Sequence, residues 1–335
     1  MRLVALVESP EHVCCRYRLA AFKPALQNAG HSLVLCPLPR DWWGRFRLPR
    51  NVRADVLIVQ RKLLHPLEVR RLRRIAPVLI YDFDDAVFLR DSYATRNANR
   101  PRRLNRFRAI AQAADLITAG NSFLAEYARQ AAGKDHVRVL PTCVNLSRHQ
   151  MARHRRSEGD IKLVWLGSSS TLKSLEANSV LLEQIGARFP GIRLKLICDR
   201  FIKFRNLLVE RCPWSEQTET RELADADIGI SWLPDDDWSR GKCGLKALQY
   251  MATGLPVVAN PVGVQREMIG DGENGFLATT PAEWMDAIGR LARDTALRTR
   301  MGEAGRARVA ADYSVEAGAA QWLGLLQGLS RRLAA

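Results

Sequence analysis

The sequence predicts an α/β protein with two Rossmann-like domains that face each other across a cleft. Its 335 residues are about twice the length of a typical domain. In each half, short apolar runs alternate with helical patterns, which is typical of parallel strands joined by crossover helices. The pattern restarts after the polar stretch 145–160, where the apolar run 161–166 parallels the run 2–7. Because ligands bind at the carboxyl ends of such strands, we expect the ligand site in the cleft.

Residues 1–150 are expected to form the first domain and residues 155–317 the second. Strands are predicted where apolar residues run together, and helices where they recur every three or four positions. The last helix, about 318–335, is amphipathic and is a candidate to pack back on the first domain. The predicted strands are 2–7, 32–36, 55–59, 78–81, 116–119, 137–140, 161–166, 193–198, 227–232 and 256–259, and the main predicted helices are 19–29, 67–75, 104–113, 122–132, 175–189 and 245–252.

The composition excludes several classes of protein. Apolar residues make up 47% of the chain, which is enough for a core in each half. The longest apolar runs are far shorter than the ~20 residues that span a bilayer, and residues 1–7 are too short for a signal peptide. The seven cysteines have neither CxxC pairs nor zinc-type spacing. We therefore expect a reducing cytoplasm, no structural metal and no cofactor.

The net charge of +16 is confined to the first half of the chain. Residues 1–156 contain 29 Lys and Arg and 12 Asp and Glu, a net charge of +17, whereas the remainder carries a net charge of −1. Such a field attracts anionic surfaces and polyanions, with the arginines of 70–74 and 100–108 as candidates, or it is an ordinary solvated surface. The segment 41–50 interleaves tryptophans with arginines, which suits a membrane interface or a loop packed into the first domain.

The most specific segment is 240–262, RGKCGLKALQYMATGLPVVANPV. Gly244 opens a predicted helix, and Lys242, Lys246 and Gln249 are spaced to lie on one face of it. Two lysines four residues apart repel each other, and they lie near the positive end of the helix dipole. A bound anion such as phosphate would relieve this conflict, because the first backbone N–H groups of a helix also favour phosphate. The alternative is a solvated surface turn.

The string KCGLKALQYMATGLPVV at 242–258 resembles a motif of GT-B glycosyltransferases of the retaining family 4, group 1 type. In that family a Glu, seven residues and a second Glu lie in a string like EGFGxxxLEAMAxGxPVV. Here Gly241 stands in place of the first Glu and Gln249 in place of the second. The resemblance continues over 263–276. It implies the GT-B fold, with an acceptor-side first domain and a second domain that binds the nucleotide-sugar donor.

The resemblance also implies which residues bind the donor. Gln249 can still hydrogen-bond the ribose hydroxyls that the second Glu holds in the family, whereas Gly241 has no side chain to contact the transferred sugar. Glu267 matches a Glu near the donor phosphates, or it caps a helix. The donor-binding residues expected in this part of the chain are Arg240, Lys242, Cys243, Gly244, Leu245, Lys246, Gln249 and Glu267.

A second candidate donor-binding segment is the turn GSSSTLK at 167–173, directly after the apolar run 161–166. It resembles the family's GRLxxxKG loop, in which an Arg and a Lys grip the diphosphate. Lys173 matches the Lys, and Ser168 replaces the Arg, so that hydroxyl donors stand in for that charge. A serine-rich turn that caps a helix is the alternative. We expect Lys173 and Lys246 to stabilise the leaving group, and we expect the donor to contact Gly167, Ser168, Ser169 and Lys173.

Three carboxylates, Asp82, Asp84 and Asp85, follow a predicted strand of the first half at its carboxyl end. Grouped carboxylates should have perturbed pKa values, which makes Asp82 and Asp84 candidate catalytic residues. Asp82 is the closest positional match to a His that contacts the donor sugar in the family. Asp82 and Asp84 also form a DxD, the metal motif of the other glycosyltransferase fold, but no metal site is predicted here. Arg90 or Arg96 could instead pair with these carboxylates.

Arg16 and Arg18 follow the first strand. They are candidates to bind a phosphate-bearing acceptor, with Asp85 on the same side, or they are surface residues at the start of a helix.

These features predict transfer of a sugar from a nucleotide-diphosphate sugar to a cell-envelope glycan or lipid-linked saccharide. The resemblance implies a retaining, metal-independent reaction. The protein is expected to be cytoplasmic, with its basic half available to an anionic membrane surface, and no nucleic-acid partner is expected. Two alternatives remain open. One is a GT-B-fold nucleotide-sugar epimerase, and the other is a non-catalytic binder of sugar nucleotides or polyanions that has lost the glutamate pair.

Overall fold

The structure is a computed structural model of the chain, and it describes residues 1–39, 54–93, 100–155 and 158–334. The segment 41–50 and Arg96, both considered above, lie outside the described residues. Among the residues that are described, no helix is both long enough and apolar enough to cross a membrane.

The chain divides into two compact units. The first comprises Met1–Cys143, Asp236–Cys243 and Val315–Ala335, and the second comprises Val144–Asp235 and Gly244–Ser314. The segment Asp236–Cys243 therefore belongs to the first unit, although its position in the sequence suggested the second.

The first unit is built on a six-stranded sheet in which all neighbouring strands run parallel. The strands are β1 (Arg2–Val7), β2 (Ser32–Pro37), β3 (Val56–Gln60), β4 (Val78–Phe83), β5 (Leu116–Ala119) and β6 (Val137–Val139). Their order in the sheet is β2-β1-β3-β4-β5-β6. Leu3 of β1 lies opposite Leu33 on one side and Val56 on the other, which fixes the register.

Helices cover both faces of this sheet, which explains why its central strands are apolar throughout. On one face Leu57 and Tyr81 pack with Phe107, and on the other Ile58 packs with Trp322 of the last helix. The helical segments of the first unit are Val13–Arg18, Ala20–Phe22 (3₁₀), Lys23–Asn28, Pro66–Leu72, Arg100–Ala113, Ser122–Ala132, Asp237–Arg240 and Val315–Ala334.

The second unit repeats this plan with a second six-stranded parallel sheet. Its strands are β7 (Ile161–Leu166), β8 (Ile192–Cys198), β9 (Leu208–Pro213), β10 (Ile228–Ser231), β11 (Val257–Ala259) and β12 (Gly275–Leu277). Their order is β12-β11-β10-β7-β8-β9. The helical segments are Leu146–Arg148 (3₁₀), Glu158–Asp160 (3₁₀), Ser169–Glu176, Ser179–Arg188, Glu219–Ala224, Leu245–Ala252, Gln265–Met268, Pro281–Arg293, Thr295–Arg308 and Val309–Tyr313 (π).

The predicted fold class, α/β with two Rossmann-like parallel sheets, is confirmed. Strands β9 and β12 were not predicted, because β9 is a partly exposed edge strand that carries charged residues and β12 has only three residues. The helix predicted at 175–189 is interrupted before Ser179. The Asn178 side chain donates a hydrogen bond to the Ser174 carbonyl oxygen at 2.8 Å, a local contact that competes with helix continuation.

The polar residues 145–155 pack on the second unit instead of forming an open connection. His149 is buried, and a hydrogen bond of 3.1 Å joins its Nδ1 to the Thr253 hydroxyl. The Arg306 guanidinium donates to the His149 carbonyl oxygen at 2.9 Å. Burial, together with the charges of Arg306 and Arg148, lowers the pKa of His149 to about 4, so the ring is neutral near pH 7.

Tyr250 joins the second sheet to the helix Leu245–Ala252. The backbone N–H of Leu166, the last residue of β7, donates to the Tyr250 hydroxyl oxygen at 2.9 Å, and the ring is fully buried. The ring also packs on Gly229 of β10, where a Cβ would lie 2.4 Å from the ring. The end of β7 is therefore held by a residue 84 positions later in the chain.

Replacing Tyr250→Phe should lower the free energy of unfolding by about 1–3 kcal/mol, because the buried N–H of Leu166 loses its acceptor. Chemical denaturation followed by circular dichroism measures the change. An unchanged denaturation midpoint would show that this hydrogen bond does not hold the end of β7.

Candidate functional site

The turn after β7 is shaped by a tryptophan beneath it. A Cβ at Gly167 would lie 2.3 Å from the Trp165 ring, so the chain can pass there only as glycine. Ser168 caps the following helix Ser169–Glu176, and its backbone N–H donates to the Thr171 hydroxyl at 3.2 Å. The turn thus presents the hydroxyl groups of 168–171 at the carboxyl end of a central strand.

Lys246, on the helix Leu245–Ala252, contacts this turn with its side chain. Its ammonium group lies 3.7 Å from the centroid of the Trp165 ring and 3.5 Å from the Thr171 hydroxyl, to which it donates. A cation over an indole face is stabilised by the ring quadrupole. The structure therefore brings together Lys246 and the turn predicted from the sequence, with Trp165 as a connecting residue that the sequence analysis did not identify.

The backbone N–H of Ser169 in this turn is already occupied. Ser169 donates its backbone N–H to the Asp199 carboxylate at 2.6 Å and its hydroxyl to the same carboxylate at 2.8 Å. These hydrogen bonds lower the pKa of Asp199. An anion that binds at the Ser169 amide must therefore displace Asp199 or bind beside it.

Lys173 is exposed on the helix Ser169–Glu176, two residues after Thr171. Glu267 is also exposed, in the first turn of the short helix Gln265–Met268. Their predicted contacts with the donor stay predictions.

Gln249 is buried in the helix Leu245–Ala252, and its amide N–H donates to the Glu219 carboxylate at 2.6 Å. The other oxygen of Glu219 accepts the indole N–H of Trp214, also at 2.6 Å. A carboxylate is therefore present beside Gln249, although the sequence has none at position 249 itself.

Lys242 does not lie on the helix with Lys246, so the helical spacing predicted for these lysines is wrong. The helix begins at Leu245, because Gly244 before it has a left-handed backbone with φ of +67°. A Cβ at Gly244 would also meet Met268 at 2.8 Å. The residues before Gly244 take a separate path in the first unit.

In the first unit, Asn121 fixes the position of the segment before Gly244 by hydrogen bonds to its backbone. Its side-chain N–H groups donate to the carbonyl oxygens of Arg240 at 3.2 Å and of Lys242 at 3.0 Å. Cys243 is buried, and a Cβ at Gly120 would lie 2.2 Å from its sulfur, so a glycine is needed for this close approach. The donor-binding roles predicted for Arg240, Lys242 and Cys243 stay predictions.

Asp82, at the carboxyl end of β4, lies in a fully buried ion pair with Arg18. The closest nitrogen–oxygen distance is 2.5 Å, and neither side chain is exposed to solvent. Gln60 donates to the same carboxylate at 3.2 Å and Thr118 at 2.8 Å. Arg18 therefore pairs with Asp82 and donates to the Leu140 carbonyl oxygen. These contacts account for the two buried charges without a ligand.

Asp84 and Asp85 are held by Arg61. Its guanidinium contacts Asp84 at 2.6 Å and Asp85 at 2.9 Å, and its backbone has φ of 58°, a left-handed conformation that is uncommon outside glycine. Burial raises the pKa of Asp84, but the charges of Arg61 and Arg18 outweigh it, so the pKa lies below its ordinary value. Asp85 also pairs with Lys242 at 3.0 Å. The sequence analysis identified the carboxylates but not Arg61.

Two further residues complete the first-unit group. The Lys242 ammonium lies 4.4 Å from the centroid of the Trp238 ring, a second cation–π contact. Arg16 is half-buried, with its guanidinium 5.7 Å from the Tyr17 ring centroid. Within the described ranges, no group of three or more His, Cys, Asp or Glu side chains is arranged to hold a metal ion.

The two parallel sheets match those of GT-B glycosyltransferase structures. The sucrose-phosphate synthase of Thermosynechococcus elongatus aligns with 99% of this chain and 100% of its own, with a TM-score of 0.77 and 16% identity. HepE of Anabaena, solved in complex with UDP, aligns with 98% of this chain and 99% of its own, with a TM-score of 0.66 and 14% identity. At this level of identity the likeness establishes the fold.

Sequence similarity to known proteins covers only part of the chain. Residues 204–294 match the family described as Glycosyl transferases group 1. The D-inositol 3-phosphate glycosyltransferase of Corynebacterium urealyticum is 39% identical over 88 residues, which are 26% of this chain and 20% of that protein. The protein of the same name from a Nocardioides species is 42% identical over 60 residues, 17% of this chain and 13% of its own length. The chain thus spans at most a fifth of the length of these curated relatives.

Replacing Asp82→Asn should lower the free energy of unfolding by about 3–5 kcal/mol, because the fully buried Arg18 charge loses its counter-ion. Asp135→Asn is the control, since Asp135 is 83% exposed and its ion pairs lie on the surface. That variant should change stability by less than about 1 kcal/mol. Equal urea midpoints for the two variants would contradict a structural role for Asp82.

Proposed function

We propose that the chain is a glycosyltransferase that transfers a sugar from a nucleotide-diphosphate sugar to an acceptor. The observation that carries this proposal is the Lys246 ammonium, held over Trp165 beside the Thr171 hydroxyl at the end of β7. A cation next to hydroxyl and amide donors suits a diphosphate. The match of residues 204–294 to Glycosyl transferases group 1 supports the same class.

In the proposed reaction the second unit binds the donor through its phosphates. Lys246 and Lys173 neutralise the negative charge that develops on the leaving diphosphate, and such electrostatic stabilisation is generally a large catalytic contribution. Ser169 contributes an amide and a hydroxyl when the phosphate replaces the Asp199 carboxylate on them. The donor chemistry is supported by HepE of Anabaena, which was solved with UDP and with UDP-glucose.

We further propose that the transfer needs no metal and retains the configuration at the anomeric carbon. Each carboxylate of the DxD is committed to an arginine, Asp82 to Arg18 and Asp84 to Arg61, so a metal would have to break two ion pairs. Retention is supported by the resemblance of the segment 242–258 to retaining GT-B enzymes.

The proposed acceptor is a cell-envelope glycan or lipid-linked saccharide, reached at the inner face of the membrane by a cytoplasmic protein. The net charge of +17 in residues 1–156 supports attraction to anionic lipid. The helices Pro66–Leu72 and Arg100–Ala113 pack against each other in the first unit. The exposed arginines in and beside these two helices are Arg70, Arg74, Arg102, Arg106 and Arg108.

A thermal-shift screen of UDP-, GDP- and ADP-sugars should identify a donor, because a ligand at 100 times its Kd adds about 2.7 kcal/mol of stability. Calorimetric titration should then show that Lys246→Ala weakens binding of the corresponding nucleoside diphosphate roughly 10- to 100-fold, through loss of a charged contact. Lys134→Ala, at an exposed lysine of the first unit, is the control.

The proposal is wrong if no nucleotide sugar stabilises the chain, or if the Lys246 and Lys134 variants bind equally well. Consumption of the nucleotide sugar without any acceptor, with conversion to a sugar isomer, would favour the epimerase instead.

Sedimentation with vesicles tests the membrane proposal. The chain should bind phosphatidylglycerol-containing vesicles and not neutral ones, and replacing Arg102, Arg106 and Arg108 by Ala should weaken binding about a hundredfold, at roughly 1 kcal/mol per arginine. Ala at the exposed Arg290, Arg300 and Arg308 of the second unit gives a variant of equal charge as the control. Equal binding to both kinds of vesicle would reject the membrane proposal.

A further inference from the structure

A cavity of about 1030 Å³ lies in the second unit, at the amino ends of its strands. Its lining includes Asp160, which directly precedes β7, and Asp225, three residues before β10. The turn 167–171 follows the opposite, carboxyl end of β7. Because the six residues of this strand span roughly 20 Å, the cavity is separate from the phosphate site proposed at that turn.

Three exposed arginines line this cavity, and they come from two segments of the chain. Arg153 and Arg155 belong to the polar residues before β7, and Arg221 belongs to the helix Glu219–Ala224. Guanidinium groups that share a cavity repel one another, and a bound anion relieves that repulsion.

The residues next to Arg153 and Arg155 fix both arginines in place. Ala152 is buried, and its backbone N–H donates to the Thr253 carbonyl oxygen at 2.8 Å. The His154 side chain is 3% exposed, and a hydrogen bond of 2.8 Å joins its Nε2 to the Gly254 carbonyl oxygen. Burial thus alternates along these residues as in an extended chain, so the two arginines leave the same side of the backbone roughly 7 Å apart.

The two carboxylates in the lining already have cationic partners on the sheet. Asp160 accepts from Arg193 of β8 at 2.7 Å. Asp225 accepts from Lys162 of β7 at 2.8 Å and from Lys195 of β8 at 2.9 Å. Lys195 is only 1% exposed, so its charge needs such partners within the protein. With its carboxylates compensated in this way, the lining has an excess of positive charge.

Arg221 is held by a contact that an anion can replace. It pairs with Glu222 at 2.9 Å, but its side chain is 70% exposed, so solvent screens the pair. Glu222 keeps a second partner when this pair is broken, because it also contacts Lys195 at 2.8 Å.

We propose that this cavity binds a small soluble compound with two phosphate groups, which Arg153, Arg155 and Arg221 hold. A guanidinium group matches the oxygens of a phosphate two at a time, and three such groups offer more charge than one phosphate carries. The cavity lies near the upper end of the volumes of small-molecule sites, roughly 300–1,000 Å³, which favours a compact ligand over a polymer. This second ligand site goes beyond the proposed function and does not depend on it.

Calorimetric titration with fructose 1,6-bisphosphate tests the proposal. The double variant Arg153→Ala with Arg155→Ala should weaken binding about tenfold or more, because charged hydrogen bonds to phosphate are lost. Both side chains are exposed, so the variant should fold as the unaltered chain does. Arg290→Ala with Arg300→Ala, at two exposed arginines of the same unit, removes the same charge elsewhere and should leave the affinity within about twofold.

Two further titrations locate the ligand and count its phosphates. Lys246→Ala should leave the affinity for fructose 1,6-bisphosphate within about twofold, because Lys246 lies at the other end of the sheet. Fructose 6-phosphate should bind the unaltered chain about tenfold or more weakly than the bisphosphate, since it has one phosphate for the three arginines.

Several outcomes would overturn the site. They are failure of the unaltered chain to bind fructose 1,6-bisphosphate, equal losses in the two double variants, and equal affinities for the two sugar phosphates. A loss in Lys246→Ala without a loss in the Arg153 and Arg155 variant would place the bisphosphate at the turn after β7, and it would also overturn the cavity site. The proposed glycosyltransferase function survives each of these results, because its own test is the binding of nucleotide sugars.

Discussion

A charged side chain that is buried must be compensated by a group close to it, and much of this structure follows from that constraint. In the first unit the pair of Arg18 with Asp82 is fully buried, so neither charge can be removed without exposing the other to a low-dielectric interior. In the second unit Lys246 is compensated by the Trp165 ring face, which attracts a cation without neutralising it. The first arrangement is fully buried, whereas Lys246 lies beside a turn whose serines Ser168 and Ser170 are exposed.

The charged groups of the two units therefore differ in how easily a ligand could replace their contacts. Asp82 and Asp84 are held by hydrogen bonds and ion pairs within the protein. Side chains held in this way are suited to a structural role, in which they position their neighbours. Around the turn after β7 the contacts are exposed and exchangeable, because the Asp199 carboxylate occupies two donors that a phosphate would also accept. Binding of an anion there exchanges one acceptor for another, so its net free energy is smaller than the number of new contacts suggests.

The relatives differ in how much of the chain they resemble. Structural likeness extends over nearly the whole chain at 16% identity or less, whereas the family match covers residues 204–294. Within residues 204–294, a Cβ at Gly229 or Gly244 would lie within 3 Å of a neighbouring side chain, so close packing favours glycine at both positions. A strand buried on both faces can be built from many apolar sequences.

The sequence by itself determined the two parallel sheets, because strands buried on both faces must be apolar throughout, as β1 and β4 are. It also pointed to Lys246, Gln249 and the turn after β7, through local patterns and a resemblance to a family motif, and their roles stay predictions. It missed the edge strand β9, whose partial exposure removes that apolar signal. Only the tertiary structure decided the partners: Arg18 with Asp82 across 64 residues, and Glu219 with Gln249 across 30. Such contacts depend on the order of the strands and the placement of the helices. The fold brings together residues whose separation in the sequence gives no indication that they are close in space.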